Sequence, residues 1–173
     1  MLLLNLNKIR TAQDRIEQVY PADRFEPDED YRVAAPVSLA FDVFKDKQAF
    51  RLAGRVRTTL ELKCGRCLEP FTAPVDQAFD LRYQPHTLNS GEGEREIEEA
   101  DLTTAFYEHE EIDLGHLMHE QFVLSLPMKP LCGDGCKGLC PVCGTNLNRG
   151  TCDFKPVWED PRLAALRELR TKN

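Results

Sequence analysis

The sequence has no long hydrophobic run. None of its 173 residues belongs to an apolar stretch of the roughly 18 residues that a membrane-spanning helix needs. The opening segment, 1–8, turns polar too early for the apolar centre of a secretion signal. We therefore expect a protein of the cytoplasm that has no membrane partner.

The sequence also lacks the motifs of the common enzyme classes. It contains no G-x-S-x-G elbow, no phosphate-binding P-loop and no glycine pattern of a dinucleotide-binding fold. His116 and His119 stand three residues apart, which is not the H-E-x-x-H spacing of a zinc protease. We predict a non-enzymatic protein. The alternative is a thiol redox or RNA-processing enzyme, because a C-x2-C pair such as Cys64 and Cys67 can exchange disulfides when it opens a helix.

Charge is distributed unevenly along the chain. The net charge is −7, and residues 92–111 hold nine acidic side chains against one base, Arg95. That tract contributes −8, which leaves about +1 for the rest of the chain and allows an anionic partner. One predicted strand face is basic and can follow RNA phosphates, or it is simply the solvent face of a sheet. Its residues are Arg51, Arg55, Arg57, Lys63 and Arg66.

Three segments in the middle of the chain alternate apolar and polar residues with the period of half-buried strands. Gly54 interrupts the apolar row of the second segment and predicts a bulge. Three such strands in succession predict an antiparallel β meander or a partly open barrel. The apolar positions are Val37, Leu39, Phe41 and Val43, then Phe50, Leu52, Val56, Leu60 and Leu62, then Phe71, Ala73, Val75, Phe79, Leu81 and Tyr83.

The remaining segments complete an α+β prediction. In the N-terminal segment, 1–30, alternating leucines predict a short strand and residues 7–19 a poor helix. Residues 84–111 are predicted to form an acidic loop. Asp113 is a good N-cap for one central helix over 113–125.

The predicted domains follow from these elements. A β-rich core spans 31–127 and includes the acidic loop and the central helix. Residues 128–173 are predicted to form a cysteine-rich zinc knot and a C-terminal helix over 162–170. Pro161 suits the first turn of that helix, where its missing N–H costs nothing.

Six of the seven cysteines occur in close pairs. In a protein without an export signal, such pairs indicate metal ligands in preference to disulfides. Zinc binds four thiolates at the corners of a tetrahedron, and two close cysteine pairs can supply all four. The first pair is Cys64 and Cys67, the second is Cys132 and Cys136, the third is Cys140 and Cys143, and Cys152 stands alone.

The pairs can be combined in two ways. The preferred combination joins the first and second pairs, which ties a strand end to the segment after the central helix. The third pair and Cys152 then form a second site of three ligands. The competing combination is a compact site of the second and third pairs, whose short connections contain Gly133, Gly135 and Gly138.

Several segments of the chain occur together, and in the same order, in one known family. They are Leu62–Leu68 followed by Phe71, Glu111–Leu114, Glu120, Leu124–Cys132, Cys136–Asn148 and Asp160–Leu163. On these segments the chain resembles the YceD-like large ribosomal RNA subunit accumulation proteins, over roughly residues 35–170.

The resemblance implies a bacterial or organellar ribosome biogenesis factor, with no established catalytic activity, that supports accumulation of large-subunit (23S) ribosomal RNA. Its implied partner is that RNA, its precursor, or a ribosomal protein such as bL32. Members of the family commonly end the knot in C-x-C, whereas this chain has Cys152-Asp153-Phe154. One complete zinc site is therefore expected, and the second group lacks a fourth thiol.

Overall fold

A computed structural model describes residues 2–9, 11–86 and 103–152. This part of the chain is mostly sheet with one α-helix. The strands are β1 (Leu3–Asn5), β2 (Gln13–Tyr20), β3 (Tyr31–Val33), β4 (Val37–Asp46), β5 (Ala49–Lys63), β6 (Pro70–Pro85), β7 (Thr104–Tyr107) and β8 (Glu111–Asp113). Helix α1 is Leu114–Ser125, and short 3-10 turns occur at Leu6–Lys8 and Ala22–Arg24.

The centre of the main sheet is the meander of β4, β5 and β6. All three strands pair antiparallel, with Phe41 opposite Gly54 and Gly54 opposite Phe79. Successive side chains of a strand point to opposite faces, so each strand buries its apolar alternate positions and exposes the others. The prediction of three consecutive half-buried strands is confirmed.

The sheet is larger than the predicted meander, and it is open. Its strand order is β2-β4-β5-β6-β7, and β3 pairs with β5 beyond the end of β4. Strands β2 and β7 are its edges within the described residues, so the chain does not adopt the barrel alternative. Strand β7 runs parallel to β6, with Thr104 opposite Arg82, and the sheet is therefore not purely antiparallel.

The N-terminal segment contributes to two sheets: β1 pairs antiparallel with β8 in a separate two-stranded sheet, and β2 joins the main sheet. Strand β2 pairs with β4 from Gln13 opposite Phe44 to Tyr20 opposite Val37, so the helix predicted over 7–19 is wrong. The half-buried residues of β2 are Ile16 and Tyr20, which are four positions apart. Two half-buried residues at a spacing of four also fit one face of a helix, and this explains the error.

Gly54 allows two strands to approach closely and does not mark a bulge. The pairing of β5 with β4 and β6 continues without interruption through this residue, so the predicted bulge is wrong. A Cβ atom at Gly54 would overlap the Cβ of Phe41 and the carbonyl oxygen of Ala40. Glycine is therefore required here because the neighbouring backbone occupies the space of a side chain.

Helix α1 packs on the inner face of the sheet. The carboxylate of Asp113 accepts hydrogen bonds from the N–H groups of Gly115 and His116 at 2.8 and 3.1 Å, as an N-cap does. The predicted central helix is thus present with its predicted cap. Its buried residues are Leu114, Leu117, Met118, Gln121 and Phe122, which join the core of the sheet.

Two predicted elements fall partly or wholly outside the described residues. The C-terminal helix over 162–170 lies outside them, as do residues 87–102 of the predicted acidic loop. The described ends of that loop contain strand residues: residues 84–85 close β6, and β7 and the start of β8 lie within 103–111, with a turn at 108–110 between them. No helix in the described ranges is long and apolar enough to cross a membrane.

Candidate metal centre

The first cysteine pair lies in the tight turn between β5 and β6. The N–H of Cys64 donates to the carbonyl of Glu69, and the N–H of Leu68 donates to the carbonyl of Cys64, both at 2.9 Å. Leu68 adopts a positive φ of 60° to close the turn. The side chains of Cys64 and Cys67 are 0% and 4% exposed. The turn therefore holds two buried sulfur atoms beyond the end of β5.

The segment after α1 returns to this turn and brings the second cysteine pair with it. The N–H of Gly65 donates to the carbonyl of Pro130 at 2.8 Å. The N–H of Cys132 donates to the Sγ of Cys64 at 3.4 Å. These bonds join the β5–β6 turn to the cysteine-rich segment, and they place Cys132 and Cys136 beside the first pair.

The four sulfur atoms form one group, called here the four-cysteine group: Cys64, Cys67, Cys132 and Cys136. All four lie within 4.8 Å of one another, with 3.8 Å between Cys64 and Cys136 and 3.7 Å between Cys67 and Cys132. Sulfur atoms at about 2.3 Å from a tetrahedral zinc stand about 3.8 Å apart. A disulfide requires about 2.05 Å. The spacing therefore fits four thiols that can hold a metal ion.

Hydrogen bonds shift the pKa values of these thiols in different directions. Donation from the N–H of Cys67, and then from that of Cys132, lowers the pKa of the Cys64 thiol to about 6. Donation from the side-chain amide of Asn148 lowers the pKa of Cys136. Hydrogen bonding with the Cys136 thiol and then with Cys67 raises the pKa of Cys132 to about 12. Closely packed thiolates repel one another, and a bound cation would stabilise all four.

The other three cysteines form a second and more exposed group, called here the three-cysteine group. The sulfur atoms of Cys140 and Cys143 each lie 3.5 Å from that of Cys152, and all three lie within 4.8 Å of one another. Cys140 is buried, Cys143 is exposed and Cys152 is intermediate. The structure therefore separates the pairs of the competing compact site, since Cys132 and Cys136 belong to the other group.

Three of the predicted nucleic-acid-binding arginines, Arg51, Arg55 and Arg57, lie on the outer face of β5 and form ion pairs. Arg51 donates to both carboxylate oxygens of Asp80, at 2.7 and 2.5 Å. Arg55 and Arg57 both contact the carboxylate of Asp76, at 2.8 and 3.2 Å. The hydrogen bonds from Arg55 and Arg51 lower the pKa of Asp76 and Asp80, respectively. These three arginines thus share their charge with two aspartates of the neighbouring strand.

The last two predicted contact residues have different surroundings. Arg66 donates to the carbonyl of Cys136 at 3.0 Å and so joins the β5–β6 turn to the cysteine-rich segment. Lys63 is exposed at the end of β5. Sequence reasoning missed Asp76 and Asp80, although both stand at exposed alternate positions of the strand that follows. A role for the five basic residues in binding nucleic acid stays a prediction.

Sequence reasoning also missed Asn148. Its side-chain amide nitrogen lies 3.3 Å from the Sγ of Cys136, and its oxygen accepts from the N–H of Lys137 at 2.8 Å. The residue therefore orients one of the four sulfur atoms. Asn148 ends the family segment Cys136–Asn148, but a lone asparagine eleven or twelve residues after its partners offers no spacing signal for its contact with Cys136.

Comparison with known proteins places this arrangement in a family. The family model described as "Large ribosomal RNA subunit accumulation protein YceD" matches residues 52–170. The chain belongs to the YceD family. The matched region runs from β5 through both cysteine groups, so it includes every residue of the candidate metal centre.

Individual relatives agree with this placement. The chain is 29% identical over 162 residues to the chloroplastic YCED homolog 1 of Arabidopsis thaliana, covering 82% of this chain and 50% of the relative. The homolog 1 of Zea mays is 30% identical over 144 residues, or 70% of this chain and 49% of the relative. YceD of Haemophilus influenzae is 29% identical over 136 residues, or 75% of each chain. The chain therefore spans about half the length of the plant relatives. No solved structure matches it.

Proposed function

We propose that this chain is a non-enzymatic ribosome biogenesis factor that supports accumulation of large-subunit (23S) ribosomal RNA. The observation that carries the proposal is the YceD family match over residues 52–170. The relatives from Arabidopsis thaliana and Haemophilus influenzae are named as large ribosomal RNA subunit accumulation proteins. The proposed partner is pre-ribosomal RNA or a ribosomal protein, of which bL32 is one candidate, and the proposed location is the cytoplasm.

In this proposal the four-cysteine group binds zinc and holds the cysteine-rich segment on the sheet. Zinc prefers four thiolates at tetrahedral corners, and the sulfur distances of 3.7 and 3.8 Å match that arrangement. Four protein ligands leave no open coordination position, so the proposed ion is structural and has no substrate site. The first cysteine pair is separated from the second by 65 to 72 residues of chain, and the ion therefore joins the sheet to the cysteine-rich segment.

The same geometry favours a structural role over thiol redox catalysis. The sulfur of Cys64 belongs to a residue that is 0% exposed, so a protein disulfide cannot reach it for exchange. Cys64 also follows a β-strand, whereas redox C-x2-C pairs use the N-terminus of a helix to stabilise the thiolate. The lowered pKa of Cys64 is equally suited to a metal ligand.

Deletion of the gene in its native host tests the proposed function. We expect mature large-subunit ribosomal RNA to fall relative to small-subunit ribosomal RNA, and the wild-type gene to restore the ratio. The Cys136→Ser variant should restore it poorly because it removes one ligand of the four-cysteine group. An unchanged RNA ratio in the deletion strain would contradict the proposal.

Crosslinking in cells identifies the partner. The tagged full chain is crosslinked, and the bound RNA is sequenced while bound proteins are identified by mass spectrometry. Enrichment of large-subunit precursor RNA supports direct RNA contact, and enrichment of a ribosomal protein without RNA supports protein contact. Recovery of neither would count against a role in ribosome assembly.

A further inference from the structure

Strand β2 has one edge toward β4 and one edge away from it. Within the described ranges, β2 pairs with β4 alone and in a continuous register. The N–H of Lys45 donates to the carbonyl of Ala12 at 3.0 Å, so the backbone of Ala12 points toward β4. Backbone groups alternate in direction along an antiparallel strand, and every second residue of β2 therefore directs its N–H and C=O groups to the outer edge. These residues are Gln13, Arg15, Glu17 and Val19.

The side chains of β2 are accessible and carry both signs of charge. Six of its eight residues are exposed, among them Val19 at 69%. Arg15 and Glu17 lie on the same face of the strand and form an ion pair at 2.8 Å. Ile16 stands between them on the opposite face and packs against the core. The outer edge of β2 thus presents a positive and a negative side chain on one face and an apolar side chain on the other.

A second copy of β2 fits this edge in one antiparallel register. Residues that direct their backbone groups to the edge must face each other for hydrogen bonds to form. When Ile16 stands opposite Ile16 of the second copy, Arg15 faces Glu17 of that copy, and by symmetry Glu17 faces Arg15. Centring the pair on Arg15 or on Glu17 instead would place like charges in direct opposition, which is destabilising. The charges of β2 therefore select the register centred on Ile16.

We propose that the chain forms a two-fold symmetric dimer in which the β2 strands of two copies pair antiparallel about Ile16 and join the two main sheets into one. The backbone groups of both outer edges then gain hydrogen-bond partners. A two-fold interface brings the same surface of each copy together, so the ion pair between Arg15 and Glu17 of the second copy occurs twice. The half-buried Ile16 side chains meet on the opposite face and cover each other.

Charge reversal tests the interface. Sedimentation equilibrium of the full chain over a range of concentrations should give a mass that approaches two chains. Arg15→Glu opposes like charges twice and should weaken the dimer by roughly tenfold or more, while the double variant Arg15→Glu/Glu17→Arg should restore it. The matched control is Arg82→Glu, which reverses an exposed arginine of β6 and should leave the dimer intact. A monomeric wild type, a dimer of unchanged strength in Arg15→Glu, or a double variant no stronger than Arg15→Glu would overturn the proposal.

Introduced cysteines test the register. Ile16→Cys places two thiols opposite each other on the two-fold axis, in a non-hydrogen-bonded pair whose Cα atoms stand about 4.5 Å apart, within reach of a disulfide. Gln18→Cys is the matched control, because its two copies would stand four positions apart, or about 13 Å. After mild oxidation, mass spectrometry should find two chains linked through the introduced cysteines in Ile16→Cys and not in Gln18→Cys. Any other pattern would overturn the proposed register.

Discussion

The Sγ atom of Cys64 lies 3.8 Å from that of Cys136, although 72 residues separate the two cysteines. Cys64 follows directly on β5, and Cys136 lies in the cysteine-rich segment beyond α1. Both residues are buried, together with Cys67, in a small cluster separate from the main core. A metal ion bound at this point would therefore control the attachment of the segment more than the folding of the sheet.

Removal of the metal should release the cysteine-rich segment and leave the sheet folded. The sheet and α1 share an extensive apolar core of their own, so they do not depend on the ion. After chelation, we expect limited proteolysis to cut within residues 128–152 and to spare a fragment that contains β2 to α1. Strand signal in the far-ultraviolet circular dichroism spectrum should persist. Restored zinc should restore protection, and global unfolding on chelation would contradict this division.

The substitution Asn148→Ala should weaken zinc binding at the four-cysteine group. Its amide donates to the sulfur of Cys136 at 3.3 Å, and partners that orient a metal ligand are typically worth about 10- to 100-fold in affinity. Competition with a coloured chelator measures the change. The control is Asn7→Ala, an exposed asparagine in the 3-10 turn at Leu6–Lys8. Equal zinc affinity in both variants would show that Asn148 does not support the site.

The substitution Gly54→Ala should destabilise the protein. The added Cβ would overlap Phe41 and the carbonyl of Ala40, and overpacking of this kind costs about 1–3 kcal/mol in the free energy of unfolding. Urea denaturation of the zinc-loaded protein measures it. Gly133→Ala is the matched control, since no atom lies within 4 Å of its added Cβ. A Gly54→Ala protein as stable as this control would refute the close approach of β4.

The basic face can be tested through the aspartate that neutralises it. Asp76 contacts both Arg55 and Arg57, so Asp76→Asn should raise affinity for large-subunit ribosomal RNA and steepen its salt dependence if this face meets phosphates. Asp23→Asn removes the same charge from an exposed position of the 3-10 turn at Ala22–Arg24 and serves as control. Filter binding over a range of salt concentrations measures both. Identical RNA affinities for Asp76→Asn and Asp23→Asn would show that the basic face does not bind RNA.

The sequence predicted those parts of the fold that are carried by local patterns. Alternation along residues 37–83 was enough for β4, β5 and β6, and Asp113 marked the start of α1. Strand β2 has only Ile16 and Tyr20 half-buried, so its spacing imitated a helix. Strand β7 has only four residues and pairs in parallel with the preceding strand β6, which leaves little local signal.

At the candidate site, too, local sequence patterns could not predict contacts between distant segments. Spacing alone allowed Cys132 and Cys136 to share an ion with either of the other two pairs. The choice depends on contacts between distant segments, such as the hydrogen bond from Gly65 to the carbonyl of Pro130, and no local pattern encodes these. The ion pairs of Asp76 and the contact of Asn148 with Cys136 are likewise properties of the folded chain.

The central claim is that the four-cysteine group binds a structural zinc ion, and zinc-edge X-ray absorption tests it most directly. The measurement uses the zinc-loaded Cys143→Ala variant, in which the three-cysteine group has lost a ligand and does not obscure the result. We predict one zinc per chain with four sulfur neighbours at about 2.3 Å. The absence of bound zinc, or a first shell that contains nitrogen or oxygen in place of sulfur, would contradict the claim.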